Sequence, residues 1–134
     1  VVPQSGGETP REDFTGLKWR SFLENDERII FGGFVWKRKG LFSKHRWMLL
    51  VEGGSTSPRL VYGDPETMAK KGEVPWSDQD PVRVEFVDDL YFNVVAQSSR
   101  RSYHFKDEQQ GSRPWCDHVQ EVLRRQSARL DQET

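Results

Sequence analysis

The feature that most constrains this chain is a change of period at Ser112. Before it, apolar residues come in short runs that alternate or are rich in β-branched types, with turn-forming residues between them. After it, Trp115, Val119, Val122 and Leu123 fall at i, i+4, i+7 and i+8, the stripe of a single amphipathic helix. The runs cover 29–38, 45–52, 59–63, 70–76, 82–87, 90–96 and 101–107. Strands this short, at this spacing, pair antiparallel. A lone helix with one apolar face needs something to cover, and the open end of a small β-barrel supplies it. The expected fold is therefore mainly β, a seven-stranded antiparallel barrel or sandwich capped by one C-terminal α-helix.

Composition sets the limits of that fold. The chain has 134 residues, enough for one domain. Hydrophobic content is low at 34%, but five Trp and eight Phe each bury a large apolar area. One cysteine, Cys116, rules out an internal disulfide and fits a reducing compartment. No run of 18 apolar residues exists to span a membrane, and the polar start has no signal-peptide core. Residues 1–16, rich in Gly, Pro and charge, are expected to be disordered or loosely packed. Leu17, Trp19, Phe22 and Leu23 mark one face of a short helix, an N-terminal extension packed on a main domain over 17–128. The C-terminal helix is expected to give way to a polar tail, with 129–134 outside the domain.

Charge is distributed unevenly. The formal net charge is −1, yet Lys37, Arg38, Lys39, Lys44 and Arg46 place five permanent cations in ten residues. Residues 64–89 carry eight acids against three bases. Such a polarised domain orients in the field of an anionic partner. Like charges at this density repel and give an empty protein no stability. They make sense if a polyanion fills the gap. Residues 44 and 46 share a face of a strand. Lys37, at the end of the preceding strand, can reach the same spot across an antiparallel pair. The loop 38–43 is expected to add backbone N–H donors. Arg46 offers a planar fork for two phosphate oxygens; Lys37 and Lys44 act as point charges. Lys39 belongs at the rim, and Arg38 alternates outward. Leu41 and Phe42 at the loop tip suit the interface of an anionic bilayer or else cover the barrel mouth.

Seven strands followed by one helix with an inward Trp resemble the pleckstrin homology (PH) domain. That family carries Lys, a variable loop, Lys or Arg, any residue, then Arg. Here Lys37, six intervening residues and Lys44-His45-Arg46 match it. The family's helix Trp matches Trp115. The strings "WRSFLEN", "KRKGLF", "GDP", "KGEVPWS" and "WCDHVQEVLRRQ" are most similar to the branch of the family found in 3-phosphoinositide-dependent protein kinases. The resemblance implies a cup for inositol phosphates in which Lys71 and Arg101 join from later strands and Tyr62 supplies a hydroxyl. The family often has Arg where this chain has Lys44, which keeps the charge and loses the fork.

The implied function is a non-catalytic module that binds phosphatidylinositol 3,4,5-trisphosphate, its 3,4-bisphosphate relative and soluble inositol polyphosphates. It would recruit a parent serine/threonine kinase, one that phosphorylates protein kinase B-type kinases, from the cytoplasm to the inner face of the plasma membrane. The alternative is a protein-interaction module of PH or phosphotyrosine-binding-like fold that does not bind lipid. The chain has no Gly-rich phosphate loop and no HRD or DFG set, and no paired acid, base or nucleophile. His45, His104 and His118 show no metal-ligand spacing, so neither metal nor cofactor is expected. Trp36, Trp47 and Trp76 are expected in the core, which leaves no stacking platform for nucleic acid.

Overall fold

The computed structural model describes residues 14, 16–53, 57–74 and 76–133, with side chains as far as 128. The expected loose tail therefore lies, apart from Phe14 and Gly16, outside the described residues. Seven antiparallel strands follow one another: β1 (Glu27–Lys39), β2 (Phe42–Gly53), β3 (Arg59–Gly63), β4 (Lys70–Val74), β5 (Val82–Phe86), β6 (Tyr91–Ala96) and β7 (Ser102–Lys106). Helix α1 (Leu17–Arg20) precedes them and α2 (Arg113–Glu133) closes the chain. The sheet order is β4-β3-β2-β1-β7-β6-β5. Strands β1 and β7 share two register pairs, Trp36 with Lys106 and Lys37 with Phe105. That short seam is a corner, about which β1–β4 and β5–β7 fold face to face.

Alternation along each strand decides what lies between the two halves. Val35, Met48, Leu50, Leu60 and Val74 point inward from one half and meet Val82, Phe92, Val94 and Phe105 from the other. Helix α2 seals one open end with Trp115, Cys116, Val119 and Val122, all buried. The Trp115 indole N–H donates to Asp107 Oδ2 at 2.7 Å. Oδ1 of the same buried carboxylate accepts from the backbone N–H groups of Gln109 and Gln110. Ser112 ties the start of α2 to the β5–β6 turn, its hydroxyl donating to the Asp88 carbonyl. The helix does not stop where its apolar stripe stops. The polar stretch from Arg124 continues it to Glu133, built of good helix formers and supported by the Arg124–Glu121 ion pair at 2.6 Å.

A second apolar cluster lies on the outer face of β2 and β3. Trp19, Trp47, Leu49, Val51 and Val61 are buried there, with Phe14, Phe22 and Leu23 packed against them. Trp19 and Trp47 meet edge to face, centroids 5.3 Å apart. The N-terminal extension exists to cover this face. Its helix is one turn only, and Leu17, expected on the apolar face, is 84% exposed. Arg59 fastens the extension to the sheet: it donates to both Glu27 carboxylate oxygens, to Glu73 Oε1 and to the Phe22 carbonyl. The C-terminal half of β2 is thus packed on both faces, on one by the helix-capped core and on the other by this outer layer, and its free N-terminal end carries the cations.

Candidate functional site: a basic cup at the open end

The inward face of β1 and β2 changes character along its length. Val35 is buried, and the next inward positions are Lys37 and Lys39. On β2 the inward series runs from buried Leu50 and Met48 to Arg46 and Lys44. The ladder sets Lys37 directly across from Lys44, and Arg46 across from Val35. One uninterrupted alternation therefore builds apolar core at one end and a positive cup at the other, opposite α2. Continuing outward across the sheet, Met48 pairs with Tyr62 on β3, and Tyr62 with Gly72 on β4. A Cβ at residue 72 would stand 2.6 Å from the Tyr62 hydroxyl, so Gly72 lets that ring lie across β4 at the rim.

Lys37 is the centre of the cup. Its ammonium lies 5.0 Å from the Tyr62 ring centroid and 5.9 Å from that of Tyr103. Partial burial pushes its pKa below the ordinary lysine value, and the charges of Arg46, Lys39 and Arg101 push it further down. Those three cations thus converge on Lys37 from β2, from β1 itself and from the start of β7. The Tyr62 hydroxyl is raised above its ordinary value first by burial and then by Tyr103, while Arg46 and Arg101 pull the other way. Lys71 enters differently. The register slips between Tyr62 and Gly63, leaving Lys71 as the extra residue of a bulge, exposed at the rim. It shares with Arg46 the neighbourhood of Asp64, whose carboxyl is held low first by the Glu66 N–H and also by these two cations. The structure so gathers Lys37, Lys39, Arg46, Tyr62 and Arg101 closely, with Lys44 and Lys71 in solvent at the rim.

Three expectations need correction. The stretch 38–43 is no open loop. Strands reach Lys39 and Phe42, which pair, so a two-residue turn at Gly40-Leu41 joins them. Gly40 has φ +61°, the left-handed conformation that such hairpins require at their first central position. Ladder pairing takes up the alternate N–H groups that face across the hairpin. Leu41 and Phe42 do not cover the barrel mouth: they stand 91% and 73% exposed at the hairpin tip. Trp36 is not core; it is 36% exposed on the outer face, its ring tilted against His45 and its indole N–H donating to Glu108. Trp47 and Trp76 are buried as expected. Sequence reasoning missed Tyr103. The signal was available, since Arg101 and Tyr103 are two apart and share a strand face.

A cavity lies elsewhere. About 550 Å³ in volume, it opens on the outer face between Trp36, Arg38, Tyr91, His104 and Lys106. Lys106 there is ion-paired with Glu108 at 3.2 Å, so it lacks the converging charge of the cup.

Comparisons with known proteins agree with this fold. A family model described as "PH domain" matches residues 17–128. The 3-phosphoinositide-dependent protein kinase 1 of Homo sapiens is 39% identical over 109 residues, 81% of this chain and 18% of that protein. Its Rattus norvegicus counterpart is 40% identical over 111 residues, covering 83% and 18%. A probable serine/threonine-protein kinase of Dictyostelium discoideum is 36% identical over 106 residues, covering 79% and 14%. The chain thus spans less than a fifth of the length of these relatives. Among solved structures, the C-terminal PH domain of pleckstrin in complex with D-myo-Ins(1,2,3,4,5)P5 superposes with a TM-score of 0.56 at 18% identity. That match covers 70% of this chain and 97% of the other.

Proposed function

This chain belongs to the PH domain family, and on that premise we propose that its basic cup binds phosphoinositide headgroups. It is a non-catalytic module, of the kind its relatives carry within larger kinases. The reading is carried by Lys37, held half-buried among Arg46, Lys39 and Arg101 at a depressed pKa. An empty protein does not gain from that arrangement; a polyanion bound there does. The preferred ligand is phosphatidylinositol 3,4,5-trisphosphate, with the 3,4-bisphosphate and soluble inositol polyphosphates also bound. Arg46 takes a phosphate bidentately, Lys37 acts as a point charge with Lys39 beside it, and Lys44 adds its charge from the rim. Arg101 and Lys71 reach in from β7 and β4, and the Tyr62 hydroxyl donates at the edge.

The hairpin tip adds a second contact. Leu41 and Phe42 enter the apolar edge of an anionic bilayer while the cations beside them gain about 1 kcal/mol each from its surface potential. Attachment of this kind brings a parent serine/threonine kinase from the cytoplasm to the inner face of the plasma membrane, beside protein kinase B-type substrates. Liposomes containing phosphatidylinositol 3,4,5-trisphosphate test the reading. The double variant Lys37→Glu, Arg46→Glu is expected to lose sedimentation with them. Retained binding by the double variant, with its fold intact, would overturn the site and favour a protein-interaction module.

A further inference from the structure

We propose that Tyr103 is a positioning residue, an aromatic floor that holds Lys37 and Arg101 in their binding orientation before any ligand arrives. The inference rests on the headgroup-binding reading above and deepens it. Tyr103 lies on the inward face of β7 and is buried. The Arg101 guanidinium carbon is 5.7 Å from its ring centroid, and the Lys37 ammonium is 5.9 Å from the same ring. Tyr62 also meets Lys37, at 5.0 Å, and is itself seated over Gly72. Lys37 thus meets two rings, and one of those rings is shared with Arg101.

The physical need for such a floor is specific to this cup. Lys37, Arg46, Lys39 and Arg101 repel one another. Without an attractive partner their flexible side chains would spread into solvent, and a ligand would have to gather them again. An aromatic face attracts a cation through its quadrupole and does so without a negative charge. A carboxylate in the same place would hold the cations better, but it would also repel a phosphate. Tyr103 therefore orients cations while leaving the net potential of the cup positive. The benefit to binding is the rotamer freedom that Lys37 and Arg101 no longer lose when the ligand arrives.

Two substitutions and one spectroscopic measurement test this. Tyr103→Phe keeps the ring and is expected to bind inositol 1,3,4,5-tetrakisphosphate as the parent chain does. Tyr103→Leu removes the ring and is expected to bind about fivefold to tenfold more weakly, with the loss mainly in entropy by calorimetry. Salt dependence should stay unchanged in both, because no charge is removed. In the unliganded parent chain, NMR of the Lys37 ammonium should show a ring-current shift and restricted rotation. The Leu variant should move it to the position of a free lysine. Undiminished affinity in a folded Tyr103→Leu variant would overturn the proposal, and so would a freely rotating Lys37 in the unliganded parent chain. The latter reading stands even if the Leu variant fails to fold. Should the parent chain bind no tetrakisphosphate at all, the headgroup reading fails, while the Lys37 resonance still decides the clamp.

Discussion

Replacing Lys37 by Met is expected to stabilise the empty domain while removing most of its ligand affinity. The Met side chain keeps much of the apolar stem and discards the charge. Arg46 is the diagonal neighbour of Lys37 across the β1–β2 ladder, and such neighbours stand about 7–8 Å apart. At that separation two like charges repel by about 0.5 kcal/mol in water and about 2 kcal/mol at an effective dielectric near 20. Lys39 and Arg101 add to it. With salt screening, relief of all three amounts to about 1–2 kcal/mol. Against this stand two lost ring contacts, about 0.5–1 kcal/mol each where solvent reaches them. Release of the buried charge favours Met again. Repulsion and ring contacts roughly cancel, so the partly buried charge sets the net expectation, a gain of about 0.5–1 kcal/mol, or a rise in Tm of about 2–4 °C. Losing one charge-assisted contact to phosphate costs about 1.5–3 kcal/mol, a fall in affinity of about ten- to a hundredfold. Scanning calorimetry in low and in molar salt, with titration of inositol 1,3,4,5-tetrakisphosphate, measures both. The stability gain should shrink in molar salt. A fall in Tm would refute the reasoning, because Lys37 would then be supporting the fold rather than waiting for a ligand.

Glu27→Gln should cost about 3 kcal/mol at neutral pH, since it leaves the Arg59 guanidinium buried with its principal partner gone. Burial opposes ionisation of Glu27, but the Arg59 hydrogen bonds and the Glu24 N–H outweigh it and lower the pKa. The stabilisation is therefore complete above the ordinary carboxylate range and is lost as pH falls through the lower folded value; the Gln variant should lose that acid limb in urea melts. For Lys37 the sign reverses: binding a polyanion raises its depressed pKa, so titration at alkaline pH should show proton uptake, read from buffers of differing ionisation enthalpy. Leu41→Ser with Phe42→Ser should weaken liposome binding at least tenfold by removing apolar insertion, and leave soluble headgroup affinity unchanged. Equal losses in both assays would place those side chains in the cup instead of the bilayer.

Much of the fold was legible because alternation carries it. The inward series Val35, Met48, Leu50 and Leu60 continues without a break into Lys37, Arg46 and Lys44, so the same period that located the core located the cup. What escaped depends on contacts far apart in the chain. Trp36 belongs by type in a core, but its parity turns it outward, to His45 and Glu108. The span 38–43 has the composition of a loop. The single φ +61° residue at Gly40 allows a hairpin so tight that strand pairing reaches Phe42. The end of α2 was hidden for another reason: beyond Leu123 the sequence shows no apolar stripe, and only helix propensity carries the pattern on to Glu133. Tyr103 could have been found from its spacing to Arg101. That it shares a ring with both Arg101 and Lys37 needed three dimensions.

One titration bears most directly on the account. Stepwise addition of inositol 1,3,4,5-tetrakisphosphate, followed by NMR at the Lys37 and Lys44 ammonium groups and the Arg46 and Arg101 guanidinium groups, asks whether a single guest engages strands β1, β2 and β7 together. The expected result is one saturable isotherm, the same midpoint at every group and one ligand per chain. Separate midpoints, or a shift at the exposed lysines alone, would mean a diffuse cationic surface and no cup.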